Sequence, residues 1–283
     1  MVTDSFSEIG NRANILHKYV SSKEVVIYED HRTILNVLHK LKEANKIDSS
    51  LNLIMFDAHD DFCNLRPNAL SKIKGLLKGL TDKKLSSFVE FELNGLDDDW
   101  VKAGMELGLI GDCILFNSTE SSIRLKEEYE TKDFGKKKFF NLGEVWSTMG
   151  SRGCLGDIVR SDEYKELWES LDWEYSNDNI FDFKKERKKY VFDIDLDCFT
   201  TKIFEKTVAI PQRILNQKFK ELRRSDTNYY TNSLQFVKRL IEDAELVTIC
   251  MESDYCGGIR EAQDIFNSVD LLFFDGELGK GKF

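Results

Sequence analysis

Short apolar runs recur along the chain, and most are apolar throughout rather than alternating. They are EVVIYED (24–30), LNLIMFD (51–57), DCILFN (112–117), KKFFNLG (137–143), KYVFDID (189–195), ELVTICME (245–252) and DLLFFDG (270–276). Strands covered on both faces read this way, as in a parallel sheet. Segments of helical period lie between them. In 31–45, Ile34, Leu35, Leu38 and Leu41 fall on one face. The segment 97–111 opens on acids and closes on Gly111, as helix ends favour. Further helices are predicted over 163–171, 211–224, 232–244 and 259–269, the last following Gly257-Gly258 and linking the last two runs. Strand and helix alternating along the whole chain predict an α/β fold, a three-layer α/β/α arrangement around a mainly parallel sheet. With two prolines, no linker-like stretch and no internal repeat, 1–283 reads as a single domain. The least regular part is a charged, aromatic excursion over about 117–188. Its glycines, in TMGSRGCLGDI (148–158), follow neither a dinucleotide-binding nor a P-loop spacing.

The polar positions change this picture at the ends of the oily runs. In an open α/β sheet, ligands bind at the carboxyl ends of the strands. Four runs end there in ionisable groups: Glu29-Asp30-His31, then Asp57-Ala58-His59-Asp60-Asp61, then Asp193, Asp195 and Asp197, and finally Glu252 with Asp254 just beyond. Carboxylates at that density repel, and burying them costs several kcal/mol per ion unless positive charge compensates. A lone strand-end Asp is ordinarily a turn or a helix cap, but four such ends on one edge make a cluster. In an extended backbone, residues i and i+2 point the same way, so Asp57 with His59, and Asp193 with Asp195, can each present two ligands on one side. Mixed carboxylate and imidazole ligands suit Mn²⁺, or less selectively Zn²⁺ or Fe²⁺. Two ions about 3.5–4 Å apart, bridged by carboxylates, would use six ligands and offset their charge.

Composition narrows the class. At 41% hydrophobic the chain is globular, and a net charge of -10 argues against a nucleic-acid surface. Its six cysteines form no C-x-x-C pair, and Cys113, Cys198 and Cys250 lie in or beside apolar runs, which fits a reducing cytosol. The N-terminus lacks a signal pattern, and no apolar run approaches the ~20 residues that span a membrane. The expectation is a cytoplasmic protein with no nucleic-acid or membrane partner.

The motifs resemble those of the arginase-like ureohydrolases. DAHDD (57–61) matches their Asp-Ala-His-x-Asp signature, FDIDLDCF (192–199) resembles their later Asp-x-Asp, and EDHR (29–32) resembles the segment that gives the first histidine ligand. The order along the chain agrees. The closest branch is the peptide arginases, which turn arginine side chains of ribosomally made precursor peptides into ornithine. NGLDDDWVKAGMELGLIGD (94–112) and VTICMESDYCGG (247–258) are similar to that branch as well. The resemblance implies an arginase/deacetylase-like fold and a centre of two Mn²⁺, with Fe²⁺ or Zn²⁺ as alternatives. One ion would be held by His31, Asp57, Asp61 and Asp193, the other by Asp57, His59, Asp193 and Asp195. Asp57 and Asp193 would bridge. A hydroxide between the ions would attack, Glu252 would pair with the substrate guanidinium, and Asp61 would move the proton. The products would be urea and ornithine, and the partner an arginine-containing precursor peptide. The four histidines are 17, 31, 39 and 59, so none lies downstream of the motif, where arginases carry a proton-transfer histidine. Segments that bind the α-amino and α-carboxylate groups of free arginine are not recognisable, which favours a peptide. An arginase- or agmatinase-type hydrolase of a small guanidine compound, a zinc deacetylase of the same fold, and a metal-dependent binding module are the alternatives.

Overall fold

The computed structural model describes residues 15–44, 50–95, 98–118, 126–143, 189–220 and 232–280, with isolated positions and short pieces between 145 and 231. The helix expected over 163–171 and most of the loop 148–158 lie outside the described residues. The elements run β1 (Leu16–Val20), β2 (Lys23–Tyr28), α1 (Ile34–Glu43), β3 (Leu51–Asp57), α2 (Pro67–Leu77), α3 (Asp82–Glu92), α4 (Trp100–Glu106), β4 (Ile110–Asn117), β5 (Lys126–Glu130) and β6 (Lys136–Asn141). They continue with β7 (Tyr190–Asp195), the hairpin β8 (Thr200–Ile203) and β9 (Lys206–Ala209), α5 (Gln212–Lys220), α6 (Ser233–Asp243), β10 (Leu246–Cys250) and α7 (Ile259–Phe273).

Eight strands form one sheet in the order β1-β2-β10-β7-β3-β4-β6-β5. The six from β2 to β6 are parallel, and β1 and β5 add an antiparallel strand at each edge. The alternation of side chains across a strand divides the core in two. Ile54, Phe56, Phe192, Ile194, Val247 and Ile249 face one side, with Phe219 of α5, Val237 of α6 and Val269 of α7. Leu53, Met55, Val191 and Leu246 face the other, with Leu38 of α1, Ile73 of α2, Phe88 of α3 and Trp100 of α4. Helices therefore flank both faces of a mostly parallel sheet, as the uninterrupted apolar runs predict.

One expected strand is not a strand. The run 270–276 begins as the last turn of α7. In that helix Ile265, Phe266, Val269, Leu272 and Phe273 are buried at helical spacing, while Leu271 is 51% exposed. A short apolar run at the end of a helix looks like a buried strand until its neighbours extend the period. The helix expected to start at 97 begins at Trp100. Among the described residues, no helix is long and apolar enough to cross a membrane.

Four neighbouring strands, β2, β10, β7 and β3, end level with one another. Tyr28 pairs with Cys250, Cys250 with Asp195, and Phe56 with Ile194. The loop after β10 is tied down next to this edge. Met251 N–H donates to the Tyr28 carbonyl and Glu252 N–H to the Glu29 carbonyl. The loop then closes on Gly257, whose φ of 95° favours glycine and whose position would set a Cβ 2.4 Å from the Thr207 carbonyl of the β8–β9 hairpin. Gly257→Ala should therefore destabilise the fold by about 1–3 kcal/mol, lowering the midpoint of a thermal melt by roughly 2–4 °C per kcal/mol. Gly135→Ala, at a φ of 71° but with no atom within 4 Å of the added carbon, should cost less.

Candidate metal centre

The period-two rule places the chemistry. Asp57 shares the α1–α4 face of the sheet with Leu53 and Met55. Asp193 and Asp195 share it with Val191, and Cys250 with Leu246. His31 reaches the same face from the turn after β2. That turn is built by Asp30, whose carboxylate caps Arg32 N–H at 3.0 Å and pairs with the Arg32 guanidinium at 2.6 Å. Trp100, at the start of α4, packs against the imidazole with ring centroids 4.6 Å apart.

His31 is fully buried, and carboxylates surround it. Its Nδ1 lies 3.0 Å from Asp195 Oδ2, 3.2 Å from Asp61 Oδ2, 3.5 Å from Asp57 Oδ2 and 3.7 Å from Glu252 Oε1. The two strand-end aspartates are used alike. Asp57 Oδ1 accepts from His59 N–H at 2.7 Å, and Asp195 Oδ1 accepts from Asp197 N–H at 3.1 Å. Each carboxylate caps the turn that follows it and leaves Oδ2 for the cluster. Asp61 Oδ2 also accepts from the indole N–H of Trp100 at 2.5 Å. Beside this group, His59 Nδ1 lies 2.9 Å from Asp197 Oδ2, and its ring meets Tyr255 edge-on at 5.2 Å. The His59 side chain is 47% exposed and forms the open side of the site. Two residues hold left-handed backbone, Asp61 at φ 48° and Glu252 at φ 34°. Neither is glycine, and strain of this kind gathers at functional sites.

Among the predicted residues, the structure brings His31, Asp57, Asp61, Asp195 and Glu252 together, with His59 beside Asp57. Asp193 is placed differently from the expected bridging ligand. Two residues along a strand are about 6.6 Å, so Asp193 sits one repeat deeper than Asp195. There it contacts the far nitrogen of His31, Nε2, at 2.7 Å and hydrogen-bonds Tyr28 and Thr248. Asp197 comes to the cluster instead, because the chain leaves the extended conformation after Asp195 and turns through a 3₁₀ helix over Leu196–Phe199. That turn also lets Asp197 Oδ1 accept from Ala58 N–H at 3.1 Å. Trp100, Tyr28, Thr248 and Tyr255 were not legible as site residues. The third acid of DIDLD was the one available signal for Asp197.

Several pKa values follow from the crowding. Burial, then the charges of Asp61 and Asp195, hold the Asp57 carboxyl well above the usual range. Burial and Asp197 push Asp195 up to about 7 against the opposing pull of His31. Burial and Asp195 push Glu252 up to about 12. Burial also raises Asp61, although His31 and Trp100 pull it down. Burial disfavours the charged form of His31, but Asp193 and the other facing groups raise it well above the ordinary value. The hydrogen bond to Asp197 raises His59 to about 9.

This site fits a cation. His31 Nδ1, Asp57 Oδ2 and Asp195 Oδ2 are buried without a hydrogen-bond partner, and they converge on one another. Ligand atoms lie within 4.8 Å of each other in three overlapping groups: His31, Asp57 and Asp61; Asp57, His59 and Asp197; and His31, Asp195, Cys250 and Glu252. These buried clusters could hold a metal ion. No protein-family model matches the chain, and comparison with curated proteins gives no match.

Without metal, the cluster should make stability depend on pH. Asp57, Asp61, Asp195, Glu252 and His31 all have folded-state pKa values above their unfolded ones. Each contributes stability below its unfolded pKa that is lost as pH rises through the folded value. Chelator-treated protein should therefore melt at a lower temperature at about pH 8 than at about pH 5, and saturating Mn²⁺ should remove or reverse that fall. Equal melting temperatures at both pH values in chelator would contradict this account of the cluster.

Proposed function

We propose that this chain is a metal-dependent hydrolase of the arginase-like ureohydrolase type. It would convert arginine side chains of a peptide to ornithine with release of urea, using two divalent ions, preferably Mn²⁺. The observation that carries this reading is the convergence of two ligand groups that share Asp57, one around His31 Nδ1 and one around His59. It supports His31, Asp57, Asp61 and Asp195 as the residues that would hold one ion and Asp57, His59 and Asp197 as those that would hold the other, with Asp57 common to both. The order along the chain is the one the motifs suggest, with the Asp-x-Asp pair taken one step later.

Two divalent ions held there would supply a water of lowered pKa and offset the crowded carboxylates. The chain's own residues would do the rest. Glu252, buried at the edge of the cluster, would accept N–H bonds from the planar guanidinium and fix its orientation. A cation at that position favours ionised Glu252 over the neutral acid. Asp61, held by the Trp100 indole N–H, would take a proton from the attacking water and return it to the departing amine. The oxygen of water bonds to the guanidine carbon and the bond from that carbon to the side-chain nitrogen breaks, leaving urea and ornithine. His59 and Tyr255 would wall the entrance.

Glu29, Asp60 and Asp254 are exposed and Asp30 is half-buried near the same strand ends, so the approach is acidic and suits the cationic guanidinium of an arginine side chain.

Incubation of Mn²⁺-loaded protein with arginine-containing peptides should remove one CN₂H₂ unit per modified arginine, read by mass spectrometry, and leave free arginine unchanged. Conversion of free arginine or agmatine alone would replace the peptide by a small guanidine. No conversion of any guanidine by metal-loaded protein would overturn the hydrolase reading. Glu252→Gln should keep its metal content and lose about 100-fold in turnover, the scale of a misplaced reactant. Unchanged turnover would remove Glu252 from the reaction.

A further inference from the structure

The buried carboxylate of Asp193 has three partners, all on the side of the site away from solvent. Its Oδ1 is 3.1 Å from the Tyr28 hydroxyl and 2.5 Å from the Thr248 hydroxyl, and its Oδ2 is 2.7 Å from His31 Nε2. Tyr28, Asp193 and Thr248 lie on β2, β7 and β10, three strands hydrogen-bonded side by side, with Thr248 directly paired with Asp193. The support for this carboxylate is therefore the sheet itself rather than a loop. Sites carried on rigid elements hold their geometry best.

We propose that Asp193 is a positioning residue for the metal centre. It keeps the proton of His31 on Nε2 and so presents Nδ1, lone pair outward, as the ligand. The inference rests on the metal-centre part of the proposed function and does not depend on the substrate.

The two nitrogens of His31 have unlike surroundings. Nε2 has a single near carboxylate at hydrogen-bond distance. Nδ1 is buried without a hydrogen-bond partner and faces Asp195, Asp61 and Asp57 at 3.0–3.5 Å. A neutral imidazole that donates from Nε2 carries its lone pair on Nδ1. The facing oxygens then call for a positive centre among them, either a proton on Nδ1 or a cation that takes its place. A carboxylate behind a ligating histidine fixes the ring's tautomer and orientation and raises its basicity towards a metal. Asp193 occupies that position. To act as a bridging ligand instead, it would have to leave Tyr28, Thr248 and His31 together. Trp100, packed on the ring at 4.6 Å, limits the other way His31 could turn.

The test uses the full-length chain, freed of metal and titrated with Zn²⁺ and with Mn²⁺ by calorimetry. Asp193→Asn keeps the shape and removes the charge. It should weaken one of two binding steps by about 10–100-fold, the range for such supporting groups. The other step, built on Asp57, His59 and Asp197, should keep its wild-type affinity. Equal weakening of both steps would indicate a merely structural role and overturn the proposal, as would unchanged binding. A second measurement needs no variant. In ¹⁵N-edited spectra of zinc-loaded wild-type protein, His31 should show a retained Nε2–H and a metal-shifted Nδ1. Zinc on Nε2 would overturn the proposal and leave the metal centre standing. Failure of wild-type protein to bind any divalent ion would overturn both.

Discussion

The site is organised by a charge imbalance that the chain does not neutralise by itself. Asp57, Asp61, Asp195 and Glu252 converge on one nitrogen of one imidazole, all of them buried. Like charges this close, away from water, are held apart by protons or drawn together by a cation. The raised carboxyl pKa values express the first state. The unpaired oxygens and the unpaired Nδ1 describe the site that the second would fill. Divalent cations resolve the conflict in a way that protons cannot, because they satisfy several lone pairs at once and let the carboxylates remain ionised.

The fold makes this crowding possible. Four parallel strands end in register, so their final side chains lie within reach of one another without any long loop having to place them. Hydrophobic burial on both faces of the sheet holds the strands, and that burial opposes the repulsion at their ends. The turns at the edge do local work as well. Asp57, Asp195 and Asp30 each cap the turn that follows them, so the residues that make the site also shape the backbone carrying it. Asp61 and Glu252 are the two acids of the cluster whose backbone is bent into left-handed conformations, and both turn a carboxylate inward.

The sheet and the location of the site were legible because both are written in short-range patterns. LNLIMFD is a strand over the whole range its apolar residues suggest, and DAHDD follows it at the expected edge. Elements with weaker patterns were missed. β1 is a half-buried edge strand, and β5 is an exposed and largely charged one. Helices α2 and α3 carry a narrow apolar face among lysines. At the site, DIDLD fixed the kind of residue and left its register open. Extended geometry pairs Asp193 with Asp195, but a 3₁₀ turn after Asp195 makes Asp197 the second partner and leaves Asp193 behind His31. That choice depends on where the strand stops, which no residue type in the motif encodes. Trp100 was invisible for a related reason: its contact with Asp61 spans 39 positions of sequence and depends on tertiary packing.

The proposed mechanism rests on two ions that share Asp57, with Asp195 beside His31 and Asp193 behind it. Anomalous diffraction at the manganese edge, from crystals grown with Mn²⁺, tests this most directly. It should give two peaks about 3.5–4 Å apart, one against His31 Nδ1 and Asp195 and one against His59 and Asp197, with Asp57 between them. A single peak coordinated by Asp193, or no peak in this cluster from protein shown to carry manganese, would contradict it.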